Sequence, residues 1–197
     1  MSTTSHPCEI GGRHTVGVDL GLRTLITATG PTLEDTLRID GRPSWHLYEE
    51  ATRYRGPDEY ESLIDARIEQ AADQLITFLD TRGTQTVAIE SLSYPSPGPL
   101  SDHLPTDADA AAWILPRTRE RVLAAARRED YRVVEVFPGG TSTTCHACDA
   151  TGVREMNVFV CLSEKCGVGR VNADANSAER IATLAAKGQQ IVGGGGH

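Results

Sequence analysis

Four cysteines stand in two close pairs, Cys145-x-x-Cys148 and Cys161-x-x-x-x-Cys166. Two such pairs, brought together by a short hairpin, supply the four thiolates that structural Zn²⁺ prefers in tetrahedral coordination. The other interpretation is four free or disulfide-linked cysteines, which is uncommon in a reducing cytosol. Because a four-thiolate site has no open coordination position, we expect this Zn²⁺ to hold a small hairpin and to take no part in catalysis.

Three further residues bear on this site. Phe159 lies just before Cys161 and could cover one face of the metal site. His146 lies inside the first pair, where four thiolates leave it no role as a ligand, so we expect it to face solvent. Cys8, the fifth cysteine, is interpreted as an incidental thiol near the N-terminus.

Three acids adjoin apolar segments. Asp19 lies inside the apolar run Val-Gly-Val-Asp-Leu, Glu90 ends the run Thr-Val-Ala-Ile-Glu, and Asp174 lies at the start of the last helical segment. Each has a structural alternative when taken alone. Asp19 could be a turn acid, Glu90 an exposed strand end, and either Asn172 or Asp174 a helix N-cap.

Taken together, the three acids favour a metal site. Two acids at strand ends and one at a helix start can converge on one edge of a mixed sheet. Converging carboxylates repel one another and raise each other's pKa unless a divalent cation neutralises them. Oxygen ligands suit Mg²⁺ or Mn²⁺. Two such ions, roughly 4 Å apart, can activate a water molecule and stabilise the leaving oxygen in phosphodiester hydrolysis.

The elements that must position these residues follow from hydrophobic periodicity and from glycine and proline. Predicted strands, the first three forming a meander, are His14–Leu20, Arg23–Thr29, Thr36–Ile39, Thr86–Glu90 and Tyr131–Phe137. Predicted helices are Glu59–Leu79, Thr118–Arg128 and Asp174–Lys187. Pro43–Arg55 stays open, and Tyr94–Asp109 is predicted to be a loop because it contains four prolines. This order predicts an α/β fold with a mixed sheet flanked by helices.

The composition is ordinary for a globular domain, but the charge is acidic. The 197 residues are 39% hydrophobic, with 19 basic against 27 acidic residues and a net charge of −8. Acidic surfaces aid solubility in a host with high internal salt, and GC-rich codon usage is the equal alternative for the scarcity of lysine. With no membrane-length apolar run and no signal-peptide pattern, we expect a cytoplasmic protein without membrane contact.

The arginines between Arg117 and Arg128 are the densest basic stretch of the chain. They could contact phosphates, but the interleaved acids favour a solvated helix face. Trp113 is predicted to be a core residue.

The segments GVDLGLRTLIT, VAIESL, TSTTCHAC, VFVCLSEKCG and NADANSAERIA resemble, in this order, the RuvC half of the TnpB family. These are transposon-associated nucleases similar to the compact type V CRISPR effectors. The resemblance implies an RNase H-like fold with Asp19, Glu90 and Asp174 as catalytic acids that bind Mg²⁺ or Mn²⁺. It also implies a structural Zn²⁺ held by a ribbon whose ligands are Cys145, Cys148, Cys161 and Cys166.

The resemblance gives the domain prediction. Residues 1–140 and 171–192 form the nuclease domain, residues 141–170 form the inserted zinc ribbon, and residues 193–197 are a disordered tail. Full members carry a long N-terminal half that grips guide RNA and target DNA, whereas about eighteen residues precede Asp19 here.

Two functions are therefore expected. The first is a metal-dependent endonuclease acting on DNA and lacking that recognition half, which a separate gene could encode. The alternative is a truncated, inactive remnant that binds nucleic acid or a partner protein. In both cases we expect the chain alone not to retain a guide RNA.

Overall fold

Five strands form one mixed sheet in the computed structural model, which describes residues 15–30, 33–54, 57–92 and 106–188. The strands are β1 (Thr15–Leu20), β2 (Thr24–Thr29), β3 (Thr36–Asp40), β4 (Thr86–Glu90) and β5 (Arg132–Val136). Their order in the sheet is β3-β2-β1-β4-β5. The first three run antiparallel as a meander, and β1, β4 and β5 run parallel. The prediction of a mixed sheet flanked by helices is confirmed.

Four helices accompany the sheet: α1 (Arg42–Tyr54), α2 (Pro57–Asp80), α3 (Asp107–Arg128) and α4 (Ala173–Ala186). Helix α1 lies in the segment that the sequence left open, and its Tyr48 is buried beside Trp113, with ring centroids 5.7 Å apart. Trp113 is a core residue, as predicted.

The two faces of the sheet are covered by different helices because successive side chains of a strand point to opposite sides. Val16, Val18 and Ile89 belong to the large core beneath α2 and α3. On the other face, Ala88 packs against Ile181 of α4. Among the described helices, α4 is therefore the one that covers the second face.

A second, three-stranded sheet follows β5. Its strands are β6 (Gly152–Glu155), β7 (Val158–Cys161) and β8 (Arg170–Asn172), in the order β6-β7-β8. Its small core centres on the fully buried Phe159, whose ring packs so closely over Gly152 that a Cβ there would lie 2.2 Å from it.

The predicted loop Tyr94–Asp109 is wrong at its C-terminal end, because α3 begins at Asp107. Thr106 and Asp109 form a capping box: the Thr106 side chain accepts from the Asp109 backbone N–H at 3.2 Å, and the Asp109 carboxylate accepts from the Thr106 N–H at 2.9 Å. The rest of that segment (residues 93–105), Cys8 and the predicted tail 193–197 lie outside the described residues. None of the described helices is long and apolar enough to cross a membrane.

Candidate active site and cysteine cluster

The four cysteine sulfurs form one compact group, all within 4.8 Å of one another. The Sγ–Sγ distances are 3.8 Å between Cys145 and Cys166 and 3.6 Å between Cys148 and Cys161. A tetrahedron with Zn–S bonds of about 2.3 Å has edges of about 3.8 Å, whereas a disulfide requires about 2.05 Å. The geometry therefore fits a four-thiolate metal site and does not fit two disulfides.

The environments of these thiols differ. Cys145 is fully buried, and burial raises the pKa of its thiol to about 12. Cys148 is exposed, and the backbone N–H of Ala150 lowers the pKa of its thiol. A bound cation is what would keep the buried Cys145 deprotonated at neutral pH. Phe159 packs against Cys145, in agreement with its predicted place over the site.

The prediction that His146 faces solvent is wrong. His146 is half-buried, with its ring Nδ1 2.9 Å from Oδ1 of Asn176, and its backbone N–H donates to the same oxygen at 3.2 Å. Asn176 is itself fully buried and donates through Nδ2 to the carbonyl of Thr144 at 3.0 Å. The physical reason is that the first cysteine pair docks on α4, which spacing alone does not reveal.

Asp19 and Glu90 are brought together by the parallel pairing of β1 and β4. Val18 pairs with Ile89, so Asp19 and Glu90 are the next positions along the two neighbouring strands. Gly17 pairs with Ala88, which faces α4, and by strand alternation both acids point to that same face.

Asp174 reaches the same place because α4 lies directly on β1. A Cβ on Gly17 would lie 1.8 Å from the carbonyl oxygen of Ala178, so strand and helix backbones are in contact there. Asp19 lies two residues further along the strand, and Asp174 lies one turn earlier on the helix. The glycine thus allows the close approach that brings the two acids to one edge.

Asp174 is not the N-cap of α4. Asn172 takes that position, and its side chain accepts a hydrogen bond from the backbone N–H of Ala175 at 3.0 Å. Asp174 instead forms an ion pair with Arg154 of β6, with 2.6 Å between Nη2 and Oδ1. The capping alternative for Asp174 is therefore wrong.

The charges of the other two acids act on the pKa of Asp19. Burial raises the pKa of Asp19 well above its usual range, the charges of Glu90 and Asp174 raise it further, and Arg154 opposes them. Burial also raises the pKa of Glu90, against a hydrogen bond from the hydroxyl of Thr141. A divalent cation would relieve this repulsion, so the donor set fits Mg²⁺ or Mn²⁺.

Three residues of this site were missed by the sequence analysis: Thr141, Arg154 and Asn176. Thr141 and Asn176 lie within the quoted segments TSTTCHAC and NADANSAERIA, but nothing in their type indicates a contact with an acid or with a cysteine turn. Arg154 has no sequence signal, because its approach to Asp174 depends on where the β6–β7 hairpin docks.

A groove of about 990 Å³ opens beside Asp174. Its lining includes four arginines, one tryptophan and one methionine: Arg23, Arg38, Arg42, Arg154, Trp45 and Met156. Arg154 is paired with Asp174 and Arg42 with Asp40. Arg23 and Arg38 are exposed, and neither forms an ion pair with any residue in the described part of the chain. Three aspartates, Asp40, Asp107 and Asp174, also line the groove, so four arginines leave it with a small positive charge on an acidic protein.

The basic stretch of α3, unlike Arg23 and Arg38 of the groove, forms ion pairs within the protein. Its arginines pair with acids of α2 and β5: Arg117 with Glu61, Arg121 with Glu69 at 3.1 Å, Arg128 with Asp73 at 3.8 Å and Arg119 with Glu135 at 2.5 Å. These contacts join α3 to its neighbours, and they disfavour the interpretation of the stretch as a phosphate-binding surface.

Comparison with known proteins supports the sequence resemblance. A family model for the Cas12f1-like TNB domain matches residues 117–181. The matched residues run from α3 through the cysteine cluster into α4. The resemblance to TnpB and the compact type V effectors is thereby confirmed, and no curated protein gives a significant match.

Solved structures extend the similarity over most of the fold. A Cas12f1 chain in complex with sgRNA and target DNA is 18% identical, covers 88% of this chain and superposes with a TM-score of 0.69. A Cas12f chain of a CRISPR ternary complex is 18% identical, with 90% of this chain and 40% of that chain covered and a TM-score of 0.61. T. thermophilus RuvC with a Holliday junction is 13% identical, with 91% and 100% covered and a TM-score of 0.51. The predicted RuvC-type, RNase H-like fold is confirmed.

The match to the Cas12f1 chain covers 51% of that protein. The chain thus spans about half the length of that Cas12f1 chain.

Proposed function

We propose that this Cas12f1-like chain is a divalent-metal-dependent endonuclease of the RuvC type that hydrolyses DNA phosphodiester bonds. The observation that carries the proposal is the placement of Asp19 and Glu90 side by side on β1 and β4, with Asp174 on the helix that rests on β1. Burial raises the pKa of Asp19, and the charges of Glu90 and Asp174 raise it further. A fold gains no stability from gathering three repelling carboxylates, so a cation-binding role accounts for their position.

Each acid has a defined part in the proposed site. Asp19 and Glu90 are held by neighbouring strands, and Asp174 is held by the first turn of α4, so all three are ligands on rigid elements. Mg²⁺ or Mn²⁺ ions bound there supply the activation of water and the stabilisation of the leaving oxygen. Arg154, already beside Asp174, can turn its guanidinium to a phosphate oxygen of the substrate.

The groove supports a polynucleotide substrate. Arg23 and Arg38 are free to pair with phosphates, and Trp45 offers a ring at the groove wall for stacking of a base. Trp45 is held there by a hydrogen bond from its Nε1–H to Asp107 at 3.1 Å. Phosphate contacts of this kind are weakened by salt.

The cysteine cluster has a separate role in the proposal. Cys145, Cys148, Cys161 and Cys166 bind one structural Zn²⁺ that holds residues 141–170, here called the ribbon, as an insert in the nuclease domain of residues 1–140 and 171–192. The compact sulfur group and the small core around Phe159 support this division, although β8 crosses the boundary at residue 170.

The test is a cleavage assay with single-stranded and duplex DNA, in Mg²⁺ or Mn²⁺, at low and at multimolar salt. We expect Asp19→Ala to reduce the cleavage rate by about 10²-fold or more while the fold is retained. Asp65→Ala is the matched control, because Asp65 lies on α2, forms an ion pair with Arg117 at 3.7 Å and does not line the groove. Cleavage that survives Asp19→Ala would point to a contaminant or to another active site.

A guide RNA is not part of the proposed complex of this chain alone. The Cas12f1 chain named above was solved with sgRNA and target DNA, but 19 basic against 27 acidic residues give this chain a weak general attraction for phosphates. Sequencing of the RNA that copurifies tests this point. A single enriched species bound with nanomolar affinity would contradict it and would favour RNA-guided, transposon-associated cleavage.

A further inference from the structure

We propose that the ribbon positions the carboxylate site, with Thr141 holding Glu90 and Asn176 fastening the first cysteine pair to α4, so that zinc binding and divalent-cation binding are coupled. The inference rests on the proposed function, because it takes the two clusters as metal sites.

Thr141 is the contact at the entry to the ribbon. It is 4% exposed, and its hydroxyl oxygen lies within hydrogen-bond distance of Oε1 of Glu90 and 3.1 Å from the carbonyl of Pro138. A hydroxyl has one proton to donate, and a carboxylate is the stronger acceptor. Thr141 therefore fixes the orientation of Glu90 without touching a reacting group, which makes it a positioning residue.

The position of Thr141 depends in turn on the first cysteine pair. The backbone N–H of Thr144 donates to the carbonyl of Gly140 at 2.9 Å, and the N–H of Cys145 donates to the carbonyl of Ala150 at 2.8 Å. A tight turn thus leads from Thr141 directly into the buried cysteine. Loss of the metal from that cysteine would release the turn that carries Thr141.

Asn176 is the second contact. Its side chain binds the Thr144 carbonyl on one side of Cys145 and the backbone N–H and ring of His146 on the other. Asn176 is fully buried, so a loss of these partners would leave its amide without hydrogen bonds away from water, which is unfavourable. Asn176 lies two residues after Asp174. The same first turn of α4 therefore carries Asp174 and the amide that hydrogen-bonds the turn around Cys145.

Coupling follows from these two contacts. If zinc holds the cysteine turn, Glu90 and the start of α4 are held in the geometry that binds a divalent cation. Partners that orient metal ligands typically change metal affinity about 10–100-fold. Linkage requires the effect to be reciprocal, so a cation at the acids would tighten zinc binding by the same factor.

A further contact between the ribbon and α4, apart from those of Asn176 and the Arg154–Asp174 ion pair, provides a control. The carboxylate of Asp149 pairs with Arg180, and with Lys187 at 2.8 Å. These ion pairs attach the ribbon to α4 further along the helix and touch none of the three acids. Asp149 has a positive φ of 61°, which asparagine also tolerates, so Asp149→Asn removes the ion pairs without straining the backbone.

The experiment measures Mn²⁺ affinity by electron paramagnetic resonance, and zinc content by elemental analysis, on the full zinc-loaded chain. The variant Thr141→Val replaces the hydroxyl by a methyl group of similar size. We expect it to weaken Mn²⁺ binding about 10–100-fold with zinc retained. Thr141→Ser should restore the affinity to within about threefold of wild type, and Asp149→Asn should leave it unchanged. Wild type stripped of zinc should lose Mn²⁺ affinity to a similar degree as Thr141→Val.

Asn176→Ala tests the contact between α4 and the first cysteine pair. This variant is expected to release zinc faster and to bind Mn²⁺ more weakly than wild type. Wild-type Mn²⁺ affinity in both Thr141→Val and the zinc-stripped protein would overturn the inference and leave the proposed function standing. Absence of Mn²⁺ binding by wild type itself would overturn the proposed function and the inference with it.

Discussion

The cysteine cluster and the carboxylate cluster are assembled in opposite ways. The four cysteines lie within one short segment, and a hairpin is enough to gather them. The three acids come from β1, β4 and α4, and they meet only after the sheet has paired and the last helix has docked. A local cluster can therefore be predicted from spacing, whereas a dispersed cluster depends on the whole domain.

The two clusters also differ in the size of the hydrophobic core that holds them. Around the cysteines the buried core is small and centres on Cys145, Phe159 and Ala173. The acids are held by elements whose large hydrophobic core lies on the opposite face of the sheet. We therefore expect the ribbon to require its ion for folding and the sheet to fold without one.

The largest expected effect is that of Cys161→Ser. Removing one thiolate should reduce the zinc content from about one ion per chain to near zero and unfold the ribbon, because structural zinc contributes on the order of 10 kcal/mol to such hairpins. The sheet should retain its amide-proton protection. Elemental analysis and hydrogen exchange measure the two effects.

Cys8→Ser is the control, since Cys8 stands apart from the two pairs and its loss should leave the zinc content unchanged. Wild-type protein that folds and is purified without any zinc would contradict a zinc-dependent ribbon.

A smaller effect is expected for Gly17→Ala, which disturbs the carboxylate cluster. The added Cβ would meet the backbone oxygen of Ala178 and the backbone nitrogen of Ala182, at 1.8 and 2.7 Å, so α4 must move away from β1. Overpacking of this kind costs about 1–3 kcal/mol, which chemical denaturation can measure. Cleavage should fall more steeply than stability because Asp174 moves with the helix.

Gly169→Ala is the matched control, because a Cβ there has no atom within 4 Å among the described residues. Its stability should change by less than about 0.5 kcal/mol. Equal stability of the two variants would show that α4 does not rest on β1 as described.

The smallest effect has the opposite sign. Asp19→Asn should stabilise the metal-free protein by about 1 kcal/mol at neutral pH, or about 2–4 °C in Tm, because it removes a buried charge that Glu90 and Asp174 repel. The same variant should lose its response to Mg²⁺, whereas wild type is stabilised by the ion.

The contribution of Asp19 to the free energy of unfolding should depend on pH. The pKa of Asp19 is higher in the folded chain than in the unfolded chain. The folded protein therefore keeps a proton that the unfolded chain releases, so this group makes the free energy of unfolding fall as pH rises above about 4. The advantage of Asp19→Asn should grow over that window and vanish below it. Thermal melts across pH that show a constant difference would contradict this account.

Much of this arrangement could be predicted from the sequence, for physical reasons that differ by element. The apolar runs ending at Asp19 and Glu90 predict strands, and the cysteine spacing predicts a compact cluster, because both signals are local. Helix α1 was left open because its amphipathic pattern is short and begins at a proline. The start of α3 was missed because its first turn is capped by Thr106 and Asp109 close behind a proline-rich segment.

The contacts of His146 and Arg154 could not be predicted. Both depend on how the ribbon docks against α4 and the acids, and docking is set by contacts such as the buried amide of Asn176. A polar residue gives no sign in the sequence of whether its partner is water or a distant side chain. The three acids stay a prediction, made because an acid inside an apolar strand is costly unless something compensates it.

The contact between Gly17 and α4 has a consequence for the timing of biosynthesis. The first described strand is covered on one face by the last described helix, so β1 leaves the ribosome long before its partner exists. During that interval, Asp19 and Glu90 can already be paired through β1 and β4, but Asp174 is still absent. The cluster is therefore completed only when α4 has left the ribosome, and a nascent chain that still lacks α4 carries two of the three acids.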